Sequence, residues 1–176
     1  MARRQGFMTV VSYTINMKVR EATVDDRETV AEIATRSLET SYSLNPSTIE
    51  SAVAEWYGEG NFEETLEDAI VLLAEDGGET VAFSESIVVT EGGQGDLHWL
   101  HVHPDHRGSG VGSALLARSI AVLGTHGADT VKLEVRRSNE GAKRLYREFG
   151  FDSLRLVPGY YQDGEDAIVM IRRLES

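Results

Sequence analysis

The chain has 176 residues, 41% hydrophobic and 26% charged, with a formal net charge of −12 and no cysteine. That size and balance suit a single globular domain spanning 1–176, with 1–16 as an N-terminal extension rather than a signal peptide. The missing cysteines exclude a disulfide framework and a thiolate site, which fits the cytoplasm; the acidity argues against nucleic acid, and no apolar run is long enough for a membrane span.

The elements follow in order. "NMKVREAT" alternates as a strand. "DDRETVAEIATRSLETSY" is predicted to be a helix capped by Asp25 with Glu28 completing the box, and with an apolar stripe of Val30, Ile33, Ala34 and Leu38. Asn45-Pro46 opens a second helix that runs through Trp56 and stops at Gly58. Asn61 with Glu64 suggests a short helical turn. "AIVLLAED", Gly77-Gly78 and "TVAFSESIVVTE" read as a hairpin, and "DLHWLHVH" as the next strand. A glycine-rich stretch leads into a helix ending near Thr125. "TVKLEVRRS" is a strand, and "NEGAKRLYREFG" a helix capped by Asn139 and closed by Gly150. Strands at 151–157 and 166–174 flank "PGYYQDGED". This order predicts a mixed α/β (α+β) fold around one sheet flanked by helices.

Charge is unevenly spread. Residues 21–96 hold nineteen Asp/Glu but only Arg27 and Arg36 as bases, whereas 107–155 hold nine Lys/Arg against five acids. An acidic solvated surface explains this; so does a second half that meets an anion and a first half that meets a cation.

The stretch "HVHPDHRGSGVGSALL" places Gly108, Gly110 and Gly112 before a helix. Helix-mouth amides lack internal partners and sit at the positive end of the dipole, so bare backbone there suits an approaching phosphate. Tight turns also use glycine. No Gly-Lys-Ser/Thr closes a P-loop, and the dinucleotide fingerprint fits poorly.

The arrangement resembles the acetyl-CoA signature of the GNAT acetyltransferases, with Arg107, Gly110 and Gly112 at its fixed positions. "LEVRRSNEGAKRLYREFGF" matches a second block through Asn139, Ala142, Leu145-Tyr146 and Gly150-Phe151. "GYYQDGEDAIVM" looks like the final hairpin of the N-terminal protein acetyltransferases, the ribosomal-protein alanine type and its archaeal relatives. The resemblance implies a mostly antiparallel sheet, acetyl-CoA as co-substrate, and no metal. It implies that the loop of Arg107, Gly108, Ser109, Gly110, Val111, Gly112 and Ser113 holds the pyrophosphate. Backbone groups of Leu100, His101 and Val102 would hold the pantetheine and polarise the thioester, with Asn139 on the same arm.

Acetyl transfer to an amine needs a neutral nucleophile and a proton for the leaving thiolate. Glu134, flanked by Leu133 and Val135, is the candidate base: burial would raise its pKa, whereas an outward position would leave it paired with an arginine. Tyr146, two turns beyond Asn139, is the candidate acid by resemblance. Trp99, Tyr160 and Tyr161 are candidate acceptor contacts, although Trp99 departs from the alanine-acetyltransferase pattern. Glu165 and Asp166 would add attraction for a cation. His98 and His101 should diverge on an alternating strand, which disfavours a metal site. The expected acceptor is a protein N-terminus. A small amine and a non-catalytic acyl-CoA sensor are the alternatives, and a homodimer is compatible with each.

Overall fold

The computed structural model describes residues 17–42, 44–89 and 93–174. The extension expected over 1–16 lies outside the described residues. Among the described residues, seven strands form one sheet in the order β1-β2-β3-β4-β5-β7-β6. They are β1 Met17–Glu21, β2 Ile70–Asp76, β3 Glu79–Val89, β4 Gln94–Val102, β5 Thr130–Arg136, β6 Asp152–Val157 and β7 Ala167–Arg173. All neighbours are antiparallel except β4 and β5. The helices are α1 Arg27–Ser41, α2 Pro46–Tyr57, α3 Asn61–Asp68, α4 Val111–Thr125 and α5 Glu140–Glu148. No helix among the described residues is long and apolar enough to cross a membrane.

Strand alternation divides the core. On β2, Val71 and Leu73 face α1–α3 together with Phe83, Tyr57 and Phe62, whereas Leu72 and Ala74 face α4 with Leu115. Burial on both faces is why β2 reads as an unbroken apolar run. A third cluster joins α4 and α5 to β5 and β7 through Leu116, Leu133, Val135, Phe151 and Met170. The predicted α1 stripe of Val30, Ile33, Ala34 and Leu38 is wholly buried. Each such large side chain contributes roughly 1.5–3 kcal/mol.

Two caps differ from expectation. Before α1 the chain makes a 3-10 turn, Val24–Asp26, and the Thr23 N–H donates to Asp26 Oδ2 at 2.8 Å. Asp26 is fixed there by two 2.8 Å bonds from the Arg20 guanidinium, which hold its carboxyl down at about 2. That long-range partner shifts the cap from the Asp25 and Glu28 pair. At α3 the Gly60 N–H donates to Glu63 in place of the expected Asn61 and Glu64 pair, because the helix starts one residue early: Gly60 is the N-cap, and Asn61 is its first residue, with its side-chain amide donating to the Glu55 carbonyl at 2.7 Å.

β4 and β5 pair only over Gln94–Asp96 and Thr130–Lys132. Beyond them β5 stays paired with β7 as far as Arg136, while the β5-facing edge of β4 has no strand partner among the described residues. The sheet opens there, with backbone donors and acceptors lining the gap.

Candidate active site

The opening forms a cleft of about 950 Å³ that carries Leu100–Val102, Gly108, Gly112, Glu134, Asn139 and Tyr146 on its walls. The glycine stretch lies at one end. Gly108 and Gly110 have φ of 76° and 89°, so their backbone requires glycine. Gly112 is different. A Cβ there would meet Val102, Leu145 and Leu100 only at 3.5–3.9 Å, ordinary contact. A glycine in the first turn of a helix costs about 1 kcal/mol against alanine, and no crowding within the protein demands it. Its bare face lines the cleft, as close approach by a ligand requires. The first bond of α4 is Ala114 N–H to the Gly110 carbonyl at 3.0 Å, which leaves the amides of Val111, Gly112 and Ser113 without helical acceptors. These donors fit a phosphate group. The glycine turn and the free helix-mouth amides therefore coexist in one loop.

Only backbone is offered at several positions. The Val111 side chain is core. Ser109 donates to the His106 carbonyl at 2.6 Å. The Arg107 guanidinium turns from the loop mouth to α1, donating to Ser37 Oγ at 3.2 Å and Ser41 Oγ at 3.1 Å. Asn139 caps α5 through a 3.0 Å bond from the Ala142 N–H and also faces the cleft.

Tyr146 is buried beside Phe151 and lines the cleft. Burial, reinforced by Tyr42, pushes its hydroxyl well above the usual value, so it keeps its proton at neutral pH. Glu134 shows 19% side-chain exposure, and its carboxylate lies 3.3 Å from Lys132 Nζ, which also sits 3.4 Å from Asp96. The partner is a lysine rather than an arginine, and the site is half-open rather than sealed.

A bulge reshapes β4. Glu85 pairs with Trp99 and Ser86 with Leu97, so His98 is the extra residue. Alternation is lost there. His98 turns toward Glu85, on the side occupied by Trp99 and His101, instead of diverging from His101. His101 is buried between Phe83 and Trp99, with Nδ1 3.0 Å from Ser37 Oγ. Burial, and next the Arg107 charge, lowers it to about 4, so the ring is neutral. Trp99 itself packs on Trp56 at 4.9 Å and faces the cleft.

Among the residues of the cleft that escaped the sequence are Tyr42 and Arg136. The Arg136 guanidinium lies between the rings of Tyr42 and Tyr161, at 4.1 and 4.0 Å from their centroids. It is 7% exposed and bonds Asp163 at 2.6 Å and Glu165 at 2.8 Å. The stack joins the turn after α1 to the β6–β7 loop across the cleft. Glu165 also accepts from the Ser138 N–H; Ser138 first, then Arg136, hold it down at about 2. Asp166 pairs with Arg137 and caps the Gly159 N–H. These acids lock the loop instead of facing a substrate. Tyr160 stays 52% exposed beside Tyr161. The available signal was an arginine ending β5 and an acid-rich turn that needed a cation.

One cleft in a split sheet thus brings together the bare mouth of α4, the end of β4, Glu134 and Tyr146. The chain belongs to the acetyltransferase (GNAT) family, whose model matches residues 29–151. It is 40% identical over 96 residues to the [ribosomal protein bS18]-alanine N-acetyltransferase of Escherichia coli K12, covering 53% of this chain and 64% of that protein. It is 40% identical over 78 residues to an N-alpha-acetyltransferase of Sulfurisphaera tokodaii, covering 44% of this chain and 47% of that one. The match thus spans under two thirds of these relatives. The paia N-acetyltransferase of Thermoplasma acidophilum, solved with coenzyme A, shares the fold at TM-score 0.77 and 20% identity, over 91% of this chain and all of that one.

Proposed function

We propose that the protein transfers an acetyl group from acetyl-CoA to the α-amine of a protein or peptide N-terminus. The observation that carries this is the convergence, in one cleft, of the bare helix-mouth amides, the unpaired β4 edge, Glu134 and Tyr146. The names of the Sulfurisphaera and Escherichia relatives support an α-amine acceptor.

Acetyl-CoA supplies an activated acyl group as a thioester. The amides of Val111–Ser113 bind its phosphates, and the β4 edge at Leu100–Val102 aligns its arm by strand-like hydrogen bonds. An N–H of that edge polarises the carbonyl. Glu134 accepts a proton from the amine; an α-amine near pKa 8 needs only a modest base. Tyr146 donates to the departing sulfur. Trp99, Tyr160 and Tyr161 line the acceptor end.

A panel of peptides with free and blocked N-termini, beside polyamines, amino acids and aminoglycosides, tests the assignment. Transfer to free N-termini alone is expected. Transfer confined to small amines would overturn the acceptor class, and the Trp56–Trp99 wall is the feature that such an acceptor would use.

A further inference from the structure

Glu85 lies in the middle of a central strand, where a carboxylate has no packing role. Its Oε2 accepts from the buried Tyr57 hydroxyl at 3.1 Å, and its Oε1 lies 3.7 Å from His98 Nδ1. A charge so placed is costly unless paired, and a hydrocarbon would pack as well. The bulge brings the imidazole to it, and the ring lines the cleft with 41% of the side chain exposed. Nε2 makes no hydrogen bond among the described residues. A tyrosine fixes a carboxylate, and the carboxylate holds an imidazole at ion-pair distance, the other ring nitrogen having no partner among the described residues.

The reaction gives such a group a task. On its way from ammonium to amide, the acceptor nitrogen loses two protons. Glu134 shares its carboxylate with Lys132 at 3.3 Å, and one acid cannot take both protons without reloading in mid-reaction.

Resting on the acetyltransferase reading above, we infer that His98, oriented by Glu85, accepts the first proton from the acceptor ammonium, leaving Glu134 to take the second. The neutral amine then forms its N–C bond to the acetyl carbonyl. The second proton leaves nitrogen for Glu134 as the C–S bond breaks, and the thiolate takes the Tyr146 proton. His98 and Glu134 each release a proton to water, and Tyr146 regains one from it. One proton is thus left on the thiol and one in solution.

Several groups face the imidazole: Glu85 from β3, Asp96 from β4, and Glu134, with its partner Lys132, from β5. The Glu85 interaction is the largest, and it raises His98 above the ordinary imidazole value. Activity should therefore climb with pH as His98 loses its proton.

The test compares wild type, His98→Gln, His98→Gly and Glu85→Gln in kcat, in the pH profile of kcat/KM, and in NMR titration of His98 in the free protein. Acetyl-CoA binding by each variant confirms folding. His98→Gln should lose about a hundredfold in kcat, with acetyl-CoA affinity unchanged. Imidazole in the buffer should restore part of the His98→Gly rate, which a purely structural role would not allow. In Glu85→Gln both the acid limb and the His98 titration should move together to lower pH, toward 6.5. A His98→Gln enzyme with wild-type kcat and an unmoved acid limb overturns the inference, as does a His98 titration that departs from the limb. A wild-type chain that acetylates no amine overturns the functional reading and this inference with it; a working wild type indifferent to His98 overturns the inference alone.

Discussion

Arg107 Nη2 donates to Ser37 Oγ at 3.2 Å, fastening the glycine loop to the C-terminal half of α1. The same guanidinium reaches Ser41 Oγ at 3.1 Å and the Val102 carbonyl at 3.3 Å. One side chain thus ties together the seat proposed for the phosphates, the end of β4 and the helix that leads to Tyr42. Arg107→Ala should lower stability by about 2 kcal/mol, the scale of charge-assisted hydrogen bonds. It should also raise KM for both substrates rather than for acetyl-CoA alone. Urea denaturation and two-substrate kinetics measure the pair of effects.

Gly110 and Gly112 should respond oppositely to alanine. Gly110→Ala places a side chain at φ 89° and should destabilise by about 1–2 kcal/mol. Gly112→Ala meets only ordinary contacts and removes a helical glycine, so it should stabilise by up to about 1 kcal/mol. It should nevertheless weaken acetyl-CoA binding, because the methyl occupies the face that the ligand approaches. Thermal melts with and without acetyl-CoA separate the two outcomes.

Tyr146→Phe should depress kcat by about a hundredfold while calorimetry shows acetyl-CoA affinity nearly unchanged. The ring's packing against Phe151 survives the substitution. An unaltered kcat would remove Tyr146 from its assigned role.

His101 gives the fold an acid sensitivity. Its value falls from 6.5 in the unfolded chain to about 4 in the folded one, so the unfolded chain binds more protons between those limits. The contribution is complete above about pH 6.5, fades as pH falls, and is lost by pH 4. It amounts to on the order of 3 kcal/mol. Asp26, held down at about 2 by Arg20, acts at lower pH, losing its contribution as pH falls from 3.8 toward 2. Urea denaturation at pH 7.5 and 4.5 should show the difference, and His101→Phe should remove most of it.

Most elements were legible because their signals are local. The Asn45 cap with Pro46, the Asn139 cap and the closing Gly150 each depend on residues within a few positions. The α1 and α3 caps were misplaced by a residue or so, because Arg20, distant in the chain, fixes Asp26 as the capping acid and α3 starts from Gly60 rather than Asn61. In the site, Glu134 and Tyr146 were singled out through the resemblance of their blocks, and both lie on the wall of the cleft. Tyr42 and Arg136 were not, since a cation between two rings is assembled from three separate elements.

The sequence by itself determined the order of strands and helices, the glycine mouth of α4 and the caps of α2 and α5, because backbone preference and periodicity act over short range. Only the tertiary structure decided that β4 and β5 part after three pairs and that a bulge turns His98 toward Glu85. It alone decided that the acids of the β6–β7 loop hold Arg136 instead of facing a substrate. Strand register and ion pairing depend on partners tens of residues apart, and no local pattern encodes which partner wins.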